Sequence, residues 1–254
     1  MLSAVLAAVL LQSPTPPPVP LDYDRSRPIA LQPLSPADRQ GVTVKQIAYE
    51  RLDGTRNAAT LVLPPASATG SHAAILYLHW YEPPKPSSNR TEFLAEAIEL
   101  ASLGTTSLLI DTPWRVEGWF ASRDGNKDYD FSVHEAKEVR RALDVLLAQP
   151  SIDPRRVAIV GHDFGAMYGA LAAAADRRVT HLVYMAGNGS MGEWFLFPRT
   201  DVHGRARPRG LDQGAVRAEV ALRRGLRHAV YLPDDFVSTF AQAPQRPRLV
   251  SRAE

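Results

Sequence analysis

A single carboxylate, Asp163, stands between two glycines in GHDFG (161 to 165), where the apolar run VAIV ends and the alanine-rich stretch AMYGALAAAAD begins. Such a junction can present a nucleophile. A side chain at the tip of a sharp strand-to-helix turn takes strained dihedrals, and the residues two before and two after it must be small for the turn to close. Gly161 and Gly165 meet that requirement. The helix that starts beneath the side chain favours negative charge through its first amides and its dipole, so an Asp there stays ionised and faces outward. The plainer interpretation makes Asp163 a helix N-cap, a position Asp fills well. A cap alone has no use for both glycines, for a Gly-ended apolar strand before it, or for His162 beside it.

A carboxylate that attacks carbon needs helpers, in chain order an acid and then a histidine that activates water. Three histidines follow Asp163: His181, His203 and His228. His181 opens a strand and falls at the wrong end of a sheet, while His203 has no strand before it to carry an acid. His228, with Asp212 ahead of it, completes the order Asp163, Asp212, His228 as candidate nucleophile, acid and base. Its surroundings, VRAEVALRRGLRHAV (216 to 230), read as a basic helix, so a surface histidine at a helix end is the competing interpretation. No HExxH, paired-histidine metal spacing, Walker loop or GxGxxG occurs, and neither a metal nor a nucleotide cofactor is expected.

The elements that must position these residues alternate along the chain. GVTVKQIAYERL (41 to 52) and AATLVLP (58 to 64) form a hairpin across Asp53-Gly54. AAILYLHW (73 to 80) is apolar on both faces, as a central parallel strand is. SNRTEFLAEAIELASLG (88 to 104) sets Phe93, Leu94, Ala97, Ile98 and Ala101 on one helical stripe and stops at Gly104. TSLLIDTPW (106 to 114) is a second buried strand, ending at Asp111. The next helix is expected to open on a capping box of Ser132 and Glu135, with Val133, Ala136, Val139, Leu143, Leu146 and Leu147 as its apolar face. After the alanine-rich helix, THLVYMAG (180 to 187) adds another strand.

This order predicts an α/β fold: a doubly wound, mostly parallel sheet flanked by helices. Ligands in such sheets bind beyond the carboxyl ends of the strands, which here carry His79, Trp80, Tyr81, Asp111, Asp163 and Gly187. Tyr81, Trp114 and Trp119 could wall the pocket, although aromatic residues more often pack the core.

Over roughly residues 41 to 190 the chain resembles the α/β-hydrolase superfamily. GHDFGA looks like the nucleophile elbow of its aspartate branch, the haloalkane dehalogenases and epoxide hydrolases, whose elbow carboxylate attacks carbon and forms an ester. The layout resembles the capless, dienelactone-hydrolase-like members, because the 67 residues after Gly187 are too few for a helical cap and two closing strands. The resemblance implies that LHWYEPP (78 to 84) is the oxyanion loop, with the N–H of Trp80 or Tyr81 paired with that of Phe164. Trp80 stands where a glycine is usual. Phe164 stands where dehalogenases keep a Trp that donates to halide, and it has no donor. His79, Asp111 and His162 join the substrate-binding candidates, with Asp111 equally able to cap the following loop and His162 to support the turn. The expected activity is hydrolysis of a small ester, lactone or related electrophile through a covalent intermediate on Asp163. The alternatives are a catalytically inactive relative that binds a ligand or partner, and an aspartate-nucleophile dehalogenase or epoxide hydrolase.

The chain has 254 residues, enough for one sizeable core and too few for two ordinary enzyme domains. A net charge of +2 argues against nucleic acid as a partner and leaves a small-molecule substrate. Without cysteine, disulfides and thiolate chemistry are excluded. LSAVLAAVLL (2 to 11) suits a signal-peptide core and is too short for a stable membrane span. Export to a periplasm or the exterior is expected, or a cytoplasmic location if that segment is no signal. A division follows: 1–20 as signal-like segment and Pro-rich spacer, 21–197 as hydrolase core, 198–254 as a basic tail. The tail from 199 onward has 11 Arg, no Lys and 6 acids, a net of +5, against −3 for the rest. It reads as a divergent end, of the kind a frame shift leaves, standing in place of the last two strands and the catalytic histidine. The C-terminal strands are therefore expected to be incomplete.

Overall fold

Turn chemistry sets the first part of the sheet. In the computed structural model, which describes residues 20–39, 41–82, 88–187 and 229–230, β1 (Gln32–Arg39), β2 (Val42–Glu50) and β3 (Arg56–Leu63) pair antiparallel in sequence. The β2–β3 turn closes as expected: Asp53 accepts from the N–H and hydroxyl of Thr55 at 2.9 and 2.6 Å, and Gly54 takes φ 84°. Sequence patterning does not anticipate β1. Its segment QPLSPADR holds two prolines, which an edge strand tolerates because one side of its ladder stays unpaired.

The remaining strands are parallel: β4 (His72–Leu78), β5 (Thr105–Ile110), β6 (Ile152–His162), β7 (His181–Met185) and β8 (Ala229–Val230). The sheet runs β1-β2-β3-β5-β4-β6-β7-β8, with β3 antiparallel to β5. Among the described residues four α-helices accompany it: α1 (Leu94–Ser102), α2 (Trp119–Ser122), α3 (Asp128–Leu147) and α4 (Phe164–Ala175). Alternate strand residues serve opposite faces. Leu76, Leu78, Val157 and Ile159 cluster with Val139, Leu143 and Leu146 of α3 and Met167 and Leu171 of α4. Ile75, Tyr77, Leu109 and Val160 cluster with Ala97, Ile98 and Leu100 of α1. Burial on both faces is why these strands read as continuous apolar runs. Each fully buried Leu adds about 2 kcal/mol from area removed from water.

Two expectations need correction. The capping box does not form, because α3 begins at Asp128, a turn earlier. Ser132 Oγ lies 3.1 Å from Tyr168 OH and Glu135 accepts from Arg51 at 2.5 Å, so tertiary partners take the groups that a local cap would have used. The first helix starts at Leu94, with turns at 89–93. In the basic tail, Ala229 and Val230 pair with Leu182 and Val183 as a two-residue strand, compatible with incomplete C-terminal strands. The signal-like segment 2–11 and most of the proline run lie outside the described residues. Among the described residues no helix is long and apolar enough to cross a membrane.

Candidate active site

The carboxyl ends of β5, β4 and β6 lie side by side and lead to Asp111, His79 and Asp163 respectively. At Asp163 the chain passes from β6 to α4 through one residue, with φ 51° and ψ −113°. Such dihedrals cost an L-residue about 1–3 kcal/mol and persist only where the surroundings impose them. The two glycines show what imposes them. A Cβ on Gly161 would fall 2.4 Å from Gly165 O, and one on Gly165 would fall 2.2 Å from Leu78 O. These contacts are with backbone, which cannot step aside, so the start of α4 rests directly on the end of β4. The Asp163 N–H donates to Met185 O at 2.9 Å, fixing the turn to β7.

The side chain does not cap. Asp163 holds the N-cap position of α4 yet makes no capping hydrogen bond with it. Its Oδ2 instead faces the Tyr81 N–H at 3.4 Å, across the loop that follows β4. Of the two amides considered for that loop, the other is engaged elsewhere: Trp80 N–H donates to Glu92 Oε2 at 2.8 Å. Its indole lies parallel to the His162 ring, 5.2 Å between centroids, so the bulky residue at the usual glycine position is turned onto His162.

Glu92, which sequence reasoning missed, joins the two halves of the site. Besides Trp80 it accepts from Ser88 Oγ at 2.9 Å and pairs with His162 Nδ1 at 2.7 Å. The Glu92 hydrogen bond raises the His162 pKa, against the opposing effect of partial burial. Its sequence signal was an acid just ahead of a helix, which reads as ordinary complement to the dipole.

His79 is held inside the fold. Nδ1 lies 2.8 Å from Trp80 O, and Nε2 lies 3.2 Å from Thr112 N and 2.7 Å from its hydroxyl. Both contacts fit a neutral ring protonated on Nδ1, a tautomer assigned from the network. Burial lowers its pKa accordingly. Asp111 is equally occupied: its side chain is 3% exposed, Oδ1 accepts the Arg90 N–H at 3.0 Å, and Oδ2 meets Arg90 Nη1 at 2.5 Å and Arg115 Nε at 3.2 Å.

The aromatic wall forms in part. Tyr81 stands edge-on to Phe164 at 5.5 Å and stacks with Phe120 at 5.9 Å, while Trp119 meets Phe164 edge-on at 5.8 Å. Trp114 is fully buried against Tyr168 and belongs to the core. His181 opens β7 opposite Ala158, away from the carboxyl edge, as the sequence suggested. Asp212 and His228 lie outside the described residues. The described residue that follows His228, Ala229, is paired with Leu182 near the amino end of β7.

A sequence model of the alpha/beta hydrolase family matches residues 77–253. No curated protein matches the chain significantly. Solved structures that share the fold include an acetyl xylan esterase from Paenibacillus sp. R4, with 18% identity and a TM-score of 0.60 over 81% of this chain and 73% of that one. Acetyl xylan esterase 1 from Thermoanaerobacterium sp. JW/SL YS485 gives 15% and 0.59 over 83% and 74%. A glucuronoyl esterase from Solibacter usitatus gives 16% and 0.55 over 83% and 69%. At these identities the likeness is one of fold.

Proposed function

This chain belongs to the alpha/beta hydrolase family, and on that premise we propose that it hydrolyses small esters, lactones or related electrophiles through a covalent intermediate on Asp163. One carboxylate oxygen adds to the ester carbonyl carbon, and the alkoxide departs with the electron pair of the broken acyl C–O bond and takes up a proton, leaving a mixed anhydride on Asp163. Water then adds to Asp163 Cγ, giving up a proton to a base. The Cγ–O bond of the anhydride breaks with its electron pair on the acyl group, so the product carboxylate leaves with the old Asp163 oxygen and the Asp163 carboxylate is restored with one oxygen from water. Asp212 and His228 are the acid and base that chain order offers for that step.

The observation that carries this reading is the Tyr81 N–H facing Asp163 Oδ2 at 3.4 Å, with the carboxylate held by strained backbone and not used as a cap. When water attacks Cγ, negative charge develops on the Asp163 oxygen itself, where this donor and the Phe164 N–H at the start of α4 can stabilise it. The contact is long in the free enzyme, as catalytic hydrogen bonds often are before substrate arrives. Esters are the substrate class named for the three structural neighbours, and the proposal takes that class over epoxides and halides.

A single turnover in H₂¹⁸O, followed by mass spectrometry of the peptide containing Asp163, tests it. Label in the Asp163 carboxylate, and a trapped adduct of the mass of the substrate's acyl group, are the expected results. No label, no adduct and no difference between wild type and Asp163→Ala across ester, lactone, epoxide and haloalkane panels would replace the enzyme with a binding-only relative.

A further inference from the structure

The β2–β3 turn and the first half of α3 meet at a corner with more negative than positive charge. Asp53 from the turn and Glu135 and Glu138 from α3 face one close guanidinium, that of Arg51. Its Nη2 lies 2.5 Å from Glu135 Oε1, and its Nε lies 3.7 Å from Glu138 Oε1 and 3.9 Å from Asp53 Oδ2. Arg141, the next cation, spends its donors on the carbonyls of Arg27, Pro28 and Glu50. Three carboxylates share one close cation, and Glu135 and Glu138 are buried, where unmatched charge is costly.

Metal-ligand spacing occurs at this corner. His134 Nε2 is 3.3 Å from Glu138 Oε1, one helical turn on, and 3.8 Å from Asp53 Oδ2. One donor atom from each of the three residues falls within 4.8 Å of the others, the one such group among the described residues. A zinc-like ion binding oxygen and nitrogen at about 2.0–2.2 Å places its donors about 3–4 Å apart, which the two His134 spacings meet. A separate observation concerns the buried carboxylate. Glu138 Oε1 accepts the Leu52 N–H at 2.9 Å, but Oε2 is buried with no hydrogen-bond partner, on a side chain only 3% exposed. Oε1 carries the contacts with Leu52, Arg51 and His134, while Oε2 keeps unused capacity as an acceptor.

We propose that Asp53, His134 and Glu138 bind a divalent transition-metal ion of the zinc type, which ties the β2–β3 turn to α3. The ion takes Glu138 through Oε1, the oxygen that faces His134 Nε2, and offsets the excess of carboxylates at this corner. One imidazole with two carboxylates selects zinc and its neighbours over calcium and magnesium, which take oxygen ligands. The half-exposed Asp53 and His134 give it access from solvent, and three protein ligands leave the fourth position to water. Because Ala59 of β3 is level with Ile110 at the end of β5, this clamp fastens the sheet at the same end as Asp163.

Calorimetric titration of the chelator-treated full chain with ZnCl₂ tests the site, alongside His134→Ala and Asp53→Asn. Wild type is expected to take up one zinc per chain, and each variant to bind about 10-fold more weakly or worse. X-ray absorption at the zinc edge should show one nitrogen and at least two oxygen ligands. Circular dichroism of the metal-free variants checks that both are folded. No binding by wild type, undiminished binding by either variant, or an equal response to CaCl₂ would overturn the proposal. These readouts need no turnover, so they stand or fall independently of the Asp163 labelling experiment.

Discussion

Asp111 and Asp163 end two strands of the same sheet, with β4 between them, and the fold treats the two carboxylates in opposite ways. Asp111 is sealed from solvent and met by two guanidiniums and a backbone amide, a set of fixed ionic partners that leaves it nothing to offer a substrate. Asp163 sits on strained backbone, partly open, with the Tyr81 amide turned toward its carboxylate. Both lie where ligands bind in such sheets. Position at the carboxyl edge therefore does not separate structure from chemistry; the partners of each carboxylate do.

The largest effect that tests this contrast is on turnover. Asp163→Ala should lower kcat/KM on an ester and lactone panel by about four orders of magnitude or more, as loss of a nucleophile does. Asp163→Gly should be as inactive yet unfold later in denaturant, by about 1 kcal/mol, because glycine accepts φ 51° without strain. A residue kept for capping would show the reverse, a loss of stability with activity intact. Next in size is Gly165→Ala, whose Cβ would press on the carbonyls of Leu78 and His79 at 2.2 and 2.7 Å. It should cost roughly 3 kcal/mol or more in chemical denaturation. If it unfolds with wild-type stability, the close approach of α4 to β4 is wrong. Asp111→Asn should cost about 2 kcal/mol, discounted because Arg90 and Arg115 keep some contact with water, while the folded fraction keeps its kcat. An Asp111→Asn protein that is stable but inactive would erase the distinction between the two acids.

The strands and the Asp163 turn were legible because a single residue type decides each. Buried parallel strands must be apolar on both faces, and a turn this tight admits only glycine at 161 and 165, so AAILYLHW and GHDFG declare themselves. What stayed hidden depends on partners far away in sequence. Glu92 is an unremarkable acid until Trp80, Ser88 and His162 converge on it. Ser132 and Glu135 have capping-box spacing, but Tyr168 and Arg51 outbid the local bonds. Trp114 and Trp119 look alike as letters, and only packing puts the first in the core and the second against Phe164. β1 escaped because its prolines argue against a strand everywhere except on an edge.

The smallest effect concerns two histidines that flank Trp80 and shift in opposite directions. Glu92 raises the His162 pKa, so His162 contributes stability that is fully present below about 6.5 and is lost as pH rises through its folded value. Burial lowers the His79 pKa, so His79 contributes stability that is present above about 6.5 and is lost as pH falls toward its folded value. The two contributions oppose each other, on a background that the shifted His134, His181 and Glu135 set for wild type and variants alike. Glu92→Gln removes the charge that holds the imidazolium, so the His162 titration seen by NMR should move down. The His79 slope is then exposed, with stability falling as the solution is acidified. His79→Gln should leave the other slope, with stability falling as pH rises. An unmoved His162 titration in Glu92→Gln would break the link between the two halves of the site.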